Sequence, residues 1–128
     1  WFMAADFAVL ELAIAVILCV RGLYMDPDAL AEDVILLAYV WPDEGEFKRA
    51  VARVHRSLSQ IVVGDVEGSP LEYGFSEWRS CQFQHRRCHQ SRADMRIVYM
   101  PLDTGIRVKG FGNRHLPSDI YQRLAQLQ

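Results

Sequence analysis

The chemistry this sequence is equipped for is concentrated between residues 79 and 115. Eight basic side chains (Arg79, Arg86, Arg87, Arg92, Arg96, Arg107, Lys109 and Arg114) stand there against two acidic ones, Asp94 and Asp103. His85, His89 and His115 lie among them. Residues 1–78 carry the opposite balance, five Lys and Arg against thirteen Asp and Glu. The whole chain has a net charge of only −2, so the asymmetry appears only when the chain is divided. Clustered cations gain free energy by displacing the counterions of a polyanion, and the block therefore points to a phosphate-bearing partner. The competing expectation is that the acidic half neutralises the basic half within the fold.

A second chemistry is suggested by Cys81, His85, Cys88 and His89, four potential zinc ligands in a short stretch. Zinc sites commonly use paired ligands separated by a longer span, and adjacent Cys88 and His89 share one tetrahedron only in an irregular loop. The expectation is a polar, cationic loop with no metal and no cofactor. Three cysteines, Cys19, Cys81 and Cys88, fit no disulfide framework and suit a reducing cytoplasm.

The elements that must position these groups are legible in the patterning. With 128 residues, 51% apolar and 23% charged, the chain is expected to form one globular domain with a modest core. Residues 1–25 read as an apolar N-terminal helical extension and 26–128 as the domain proper. The apolar run Phe7–Val20, interrupted by Glu11, falls short of the roughly 20 residues a membrane span requires. No Lys or Arg precedes it, as a secretory signal would need. A helix buried in the domain, or against a second copy of the chain as a homodimer through residues 1–25, is expected rather than a membrane segment.

Asp26-Pro27 has the residues of a helix start, an N-cap followed by a proline that forfeits no intrahelical bond. Leu30, Val34 and Leu37 then recur at helical spacing to about Val40, before Pro42. Asp43 and Glu46 have capping-box spacing for a second helix, whose apolar stripe is Phe47, Val51, Val54, Leu58 and Ile61, with Arg49, Arg53 and Arg56 opposite. Gly64, Gly68, Ser69, Pro70 and Gly74 mark an irregular connection. Three strands follow at Trp78–Phe83, Met95–Met100 and Ile106–Phe111. A turn over Pro101–Gly105 joins the last two. Leu116-Pro117-Ser118 opens a short final helix with Ile120, Leu124 and Leu127 inward. Pairing Ile97 with Val108 and Tyr99 with Ile106 gathers the apolar residues on one face and leaves Arg96, Arg107 and Lys109 on the other. The fold class expected is α+β: N-terminal helices packed on a small twisted antiparallel sheet, with a short C-terminal helix.

The order Asp94-Met95-Arg96-Ile97-Val98-Tyr99, Ile106-Arg107-Val108, Gly112-Asn113-Arg114-His115 and Tyr121-Gln122-Arg123 resembles the C-terminal half of the RelE/ParE toxin superfamily. The resemblance covers roughly residues 43–128. It implies two helices packed on a twisted antiparallel sheet whose concave face receives messenger RNA, and a cognate antitoxin that wraps or blocks the toxin. In the RelE-like branch it implies an endoribonuclease acting on ribosome-bound messenger RNA. There the 2′-hydroxyl attacks the adjacent phosphate and the 5′-oxygen leaves. Such a reaction needs a cation beside the phosphate oxygens, a group taking the 2′-proton and a group protonating the leaving oxygen. Arg96 then matches the strand arginine that stabilises the charge on phosphorus. Arg114 holds the phosphate or assists the leaving group, and Tyr121 activates the 2′-hydroxyl or stacks on a base. An ordinary tyrosine ionises near pH ~10, so it serves as base only where cations lower that value. His115, His85 or His89 are the alternatives at neutral pH. Arg79, Arg87, His89, Arg107 and Lys109 are the expected RNA-binding residues. A catalytically silent RNA- or partner-binding protein and a ParE-like gyrase-inhibiting toxin are the two alternatives.

Overall fold

The computed structural model describes residues 6–86, 88–89, 91–113 and 120–125. Its elements are α1 (Phe7–Leu18), β1 (Leu23–Tyr24), α2 (Pro27–Val40), α3 (Glu44–Val62), β2 (Ser69–Pro70), β3 (Arg79–Phe83), β4 (Met95–Leu102), β5 (Gly105–Asn113) and α4 (Ile120–Ala125). The fold is α+β: a five-stranded sheet of order β1-β5-β4-β3-β2 with helices packed against it. The sheet is mixed rather than wholly antiparallel, because β1 runs parallel to β5 while the other pairings are antiparallel. β1 therefore ties part of residues 1–25 into the same sheet as the chemistry-bearing strands.

The helical hairpin forms where the caps place it. Asp26 accepts a hydrogen bond from the Ala29 amide at 3.0 Å with Pro27 as the first helical residue, and Asp43 accepts from the Glu46 amide at 3.0 Å. Only half of the capping box is used, because the Glu46 carboxylate turns to Arg49, His85 and Arg86. Phe47, Val51, Val54, Leu58 and Ile61 of α3 are all buried, beside Leu30, Val34 and Leu37 of α2. They pack on Cys81, Phe83, Met95, Ile97, Tyr99, Ile106, Val108 and Phe111. Burying each large side chain contributes about 1.5–3 kcal/mol, so this covered face of the sheet supplies most of the driving force. Arg53 departs from the solvent side: its Nε donates to the Gln84 carbonyl at 2.9 Å and its guanidinium lies over Phe83. α1 buries Ala13 and Ile17 against this core, while Phe7, Leu12 and Leu18 on its other side are exposed within the single chain. No described helix is long and apolar enough to cross a membrane.

The β4–β5 register differs from the one the patterning suggests. Ile97 pairs with Phe111, Tyr99 with Val108 and Pro101 with Ile106, and Leu102 opposite Gly105 closes a two-residue turn. Val98 faces Gly110 while Tyr99 faces Val108, leaving Lys109 as the extra residue of a β-bulge. The physical reason is the spacing of the apolar residues. Val108 and Phe111 are three apart, so strict alternation would send one of them to each face; the bulge lets both enter the core.

Candidate functional site

Alternation along β3 and β4 sends Ser80, Gln82, Arg96, Val98 and Met100 to the face opposite the helical hairpin. Ser80 stands across from Val98 and Gln82 across from Arg96, while on the β5 side Arg96 faces Gly112, which has no side chain to fill the space. A second, smaller apolar cluster forms on this face from Leu71, Trp78, Val98 and Leu124, with Phe75, Met100 and Tyr121 packed against it. Beside that cluster lies a cavity of about 540 Å³ between the 66–72 segment, β3, Arg96 and Tyr121. Arg96 Nε and Ser80 Oγ, of two residues that line it, are buried with no hydrogen-bond partner among the described residues. A buried donor left unmatched costs about 1–3 kcal/mol, more when it is charged, and an anionic oxygen in the cavity would satisfy it.

Tyr121 walls the cavity from α4. Its ring meets Tyr73 edge-on at 5.3 Å and Phe75 tilted at 5.6 Å. Tyr73 adopts a φ of 59°, the left-handed region that bulky side chains rarely occupy, and Gly74 follows at 84°. This strained turn holds the Tyr73 ring against Tyr121. The cavity rim is fixed from the covered face: the Gly68 amide donates to Tyr99 Oη at 2.7 Å, and Arg79 Nε donates to the Gly68 carbonyl at 2.9 Å. A Cβ at Gly68 would come within 2.6 Å of the Ser80 carbonyl oxygen, so only glycine fits there.

The structure thus brings Arg96 and Tyr121 to one cavity and sends the other expected residues elsewhere. Arg79 lies on the opposite face of β3, where it pairs with Glu67 at 2.9 Å and clips the rim. Its neighbours in the register, Cys81 and Phe83, are core residues, and alternation places Arg79 with them. Arg107 and Lys109 line a separate cavity of about 280 Å³ with Tyr24, Asp26 and Trp78. Leu71 borders the first cavity and Trp78 the second, so the small apolar cluster stands between the two cation sites. The single open basic surface expected for Arg96, Arg107 and Lys109 is therefore not formed. Burial, and then repulsion from Arg123, hold the Lys109 ammonium below the ordinary lysine range, partly offset by Asp26. His89 is exposed on the 84–94 loop, while Arg87, Arg114 and His115 lie outside the described residues.

His85 is unsuited to the role of free base. Its Nδ1 meets Asp94 at 2.5 Å and its Nε2 meets Glu46 at 3.3 Å, with the ring against Trp41 at a centroid distance of 4.4 Å. It pins the loop to the start of α3, while Gln84 Nε2 donates to the carbonyls of Cys88 and Ser91. Cys81 is buried on the covered face, where desolvation pushes its thiol upward against the opposing pull of Arg53. Among the described residues no group of three or more His, Cys, Asp or Glu is arranged to hold a metal ion.

Ser80, Tyr73, Phe75 and the buried Asp33 are the residues that patterning did not single out. Asp33 carries a usable signal, since it occupies the same stripe of α2 as Leu30, Val34 and Leu37. Comparison of the chain with family models, with curated proteins and with solved structures finds no match.

Proposed function

We propose that this chain binds RNA at the Arg96–Tyr121 cavity and cleaves it by 2′-hydroxyl attack on the adjacent phosphate, as the toxin of a bacterial toxin–antitoxin pair. The observation that carries the reading is that Arg96 and Ser80, whose buried Nε and Oγ have no hydrogen-bond partner among the described residues, line one cavity with Tyr121. A phosphodiester seated in the cavity would offer its oxygens as acceptors to these side chains. The Arg96 guanidinium then neutralises charge as it develops on the phosphoryl oxygens, which is where electrostatic catalysis of such a transfer is strongest. Tyr121 lines the same space, for stacking on a base or for taking the 2′-proton. Arg114 and His115, which lie outside the described residues, belong to the set the resemblance implies, with ribosome-bound messenger RNA as substrate and an antitoxin as partner. The α+β class, with α2 and α3 packed on the antiparallel strands β3, β4 and β5, supports the reading at the level of broad class.

Inducing the chain in a bacterial host should arrest growth and create new messenger RNA ends, and Arg96→Ala should remove both effects. Intact transcripts alongside damaged chromosomes would instead support the gyrase reading. The second reading, a catalytically silent RNA- or partner-binding protein, draws support from Tyr121 packing against Tyr73 and Phe75 and from Glu67 and Glu72 lining the cavity with Arg96. Under that reading Tyr121→Phe leaves RNA binding intact and no cleavage is seen in either protein.

A further inference from the structure

We propose that the buried Asp33–Arg123 pair sets the rotation of α4 and so aims Tyr121 into the Arg96 cavity, making Asp33 and Arg123 positioning residues for that site. The functional part of this inference rests on the cavity being a reaction site. α4 has six residues, far fewer than the roughly 12–15 at which an isolated helix becomes even marginal, so tertiary anchors alone place it. Leu124, 2% exposed, sits among Leu71, Trp78 and Val98 and turns the face it shares with Tyr121, three residues before it, toward the sheet, but apolar contacts tolerate small rotations about the helix axis. Residues 121 and 123 project from different sides of the helix, about 200° apart at ~100° per residue. Fixing the Arg123 side therefore fixes which way Tyr121 faces.

Arg123 Nη1 reaches Asp33 Oδ1 at 3.5 Å, and Asp33 Oδ2 accepts from the Phe111 amide at 3.1 Å. One fully buried carboxylate thus joins α2, β5 just past the bulge, and α4. Burial works against the charged form of this pair. Burial pushes the Asp33 carboxyl up to about 7 although Arg123 and the Phe111 amide both pull it down, with Glu32 adding to the rise. Lys109, on the bulge, repels Arg123 from the β5 side, and Arg123 Nη2 is buried with no partner among the described residues. Buried ion pairs of this kind often cost more than they return, and their best-attested use is to fix a register.

The test uses the full chain with Arg123→Lys, Arg123→Leu and the double variant Asp33→Asn with Arg123→Leu, which leaves no unpaired buried charge and keeps an acceptor for the Phe111 amide. Global stability is followed by urea unfolding, and Tyr121 by the NMR shifts of its ring, which Tyr73 and Phe75 perturb. In the double variant stability is retained, while the Tyr121 ring signals move and amide protection across 121–125 drops about tenfold as α4 opens locally. Arg123→Lys keeps the wild-type ring shifts. RNA cleavage by the double variant falls about tenfold to hundredfold, as expected of a misplaced catalytic group, with RNA affinity changed less than about threefold. A stable double variant with unaltered Tyr121 signals and unaltered protection overturns the proposal. If the wild type cleaves no RNA but the ring signals still move, α4 positioning stands and the reaction-site reading falls.

Discussion

The two faces of this sheet are built on different terms. On the covered face, α1, α2 and α3 lay Phe47, Leu58, Leu30 and Ile17 against Met95, Ile97 and Phe111, with Asp33 and Ser57 the only described polar residues fully inside. On the cavity face the described residues form a smaller buried apolar cluster, and beside it Arg96 and Ser80 hold buried polar atoms without partners among the described residues. The first face spends its area on cohesion. The second has less cohesion and holds polar atoms unmatched among the described residues, an exception in folded proteins.

The contrast can be broken most severely at Phe47, which is fully buried between the hairpin and the sheet. Phe47→Ala should cost about 3–5 kcal/mol in urea unfolding and leave little folded protein at physiological temperature. Asp33 gives the next largest effect, through pH. Its folded value of about 7 lies above an unfolded value of roughly 3.9, so the native state binds the extra proton between those limits. Its contribution to stability is complete below about pH 4 and is lost as pH rises through about 7. Wild type should therefore lose about 2–3 kcal/mol between pH 5 and pH 8 that Asp33→Asn does not lose, as read from paired unfolding curves. Gly68→Ala tests the rim joining the two faces. The added methyl meets the backbone of Ser80, and a loss of about 1–3 kcal/mol is expected, accompanied by weaker RNA binding. Arg96→Met sharpens the comparison from the other side: stability should stay within about 1 kcal/mol of wild type, or rise, because an unmatched buried donor has been removed.

Much of the covered face could be read from spacing. Asp26-Pro27, Asp43 and the Phe47–Ile61 stripe fixed the hairpin, and three of the strands fall where β-branched and aromatic residues cluster. What escaped reading depends on contacts between distant segments. β1 is two residues long, too short for any periodicity, and exists because the Gly22 carbonyl accepts the Ile106 amide at 2.8 Å. The bulge at Lys109 follows from Val108 and Phe111 both needing the core, a demand invisible within β5 alone. At the candidate site the strand arginine and the late tyrosine were legible, and both line one cavity. Arg79, Arg107 and Lys109 looked equivalent to Arg96 in a tally of charge, yet the pleat, the bulge and Trp78 send them to other places. Ser80 and Tyr73 gave no signal because an unmatched hydroxyl and a left-handed tyrosine are properties of the folded chain.

The most direct test is the affinity of the wild-type chain and of Arg96→Met for a short single-stranded RNA whose 2′-hydroxyls are methylated, so that binding is measured without cleavage. Arg96 seated on a phosphate predicts at least about a tenfold loss in the variant, with a shallower dependence on salt and stability within about 1 kcal/mol of wild type or higher. Equal affinity in the two proteins, with equal salt dependence, would contradict the placement of phosphate in this cavity.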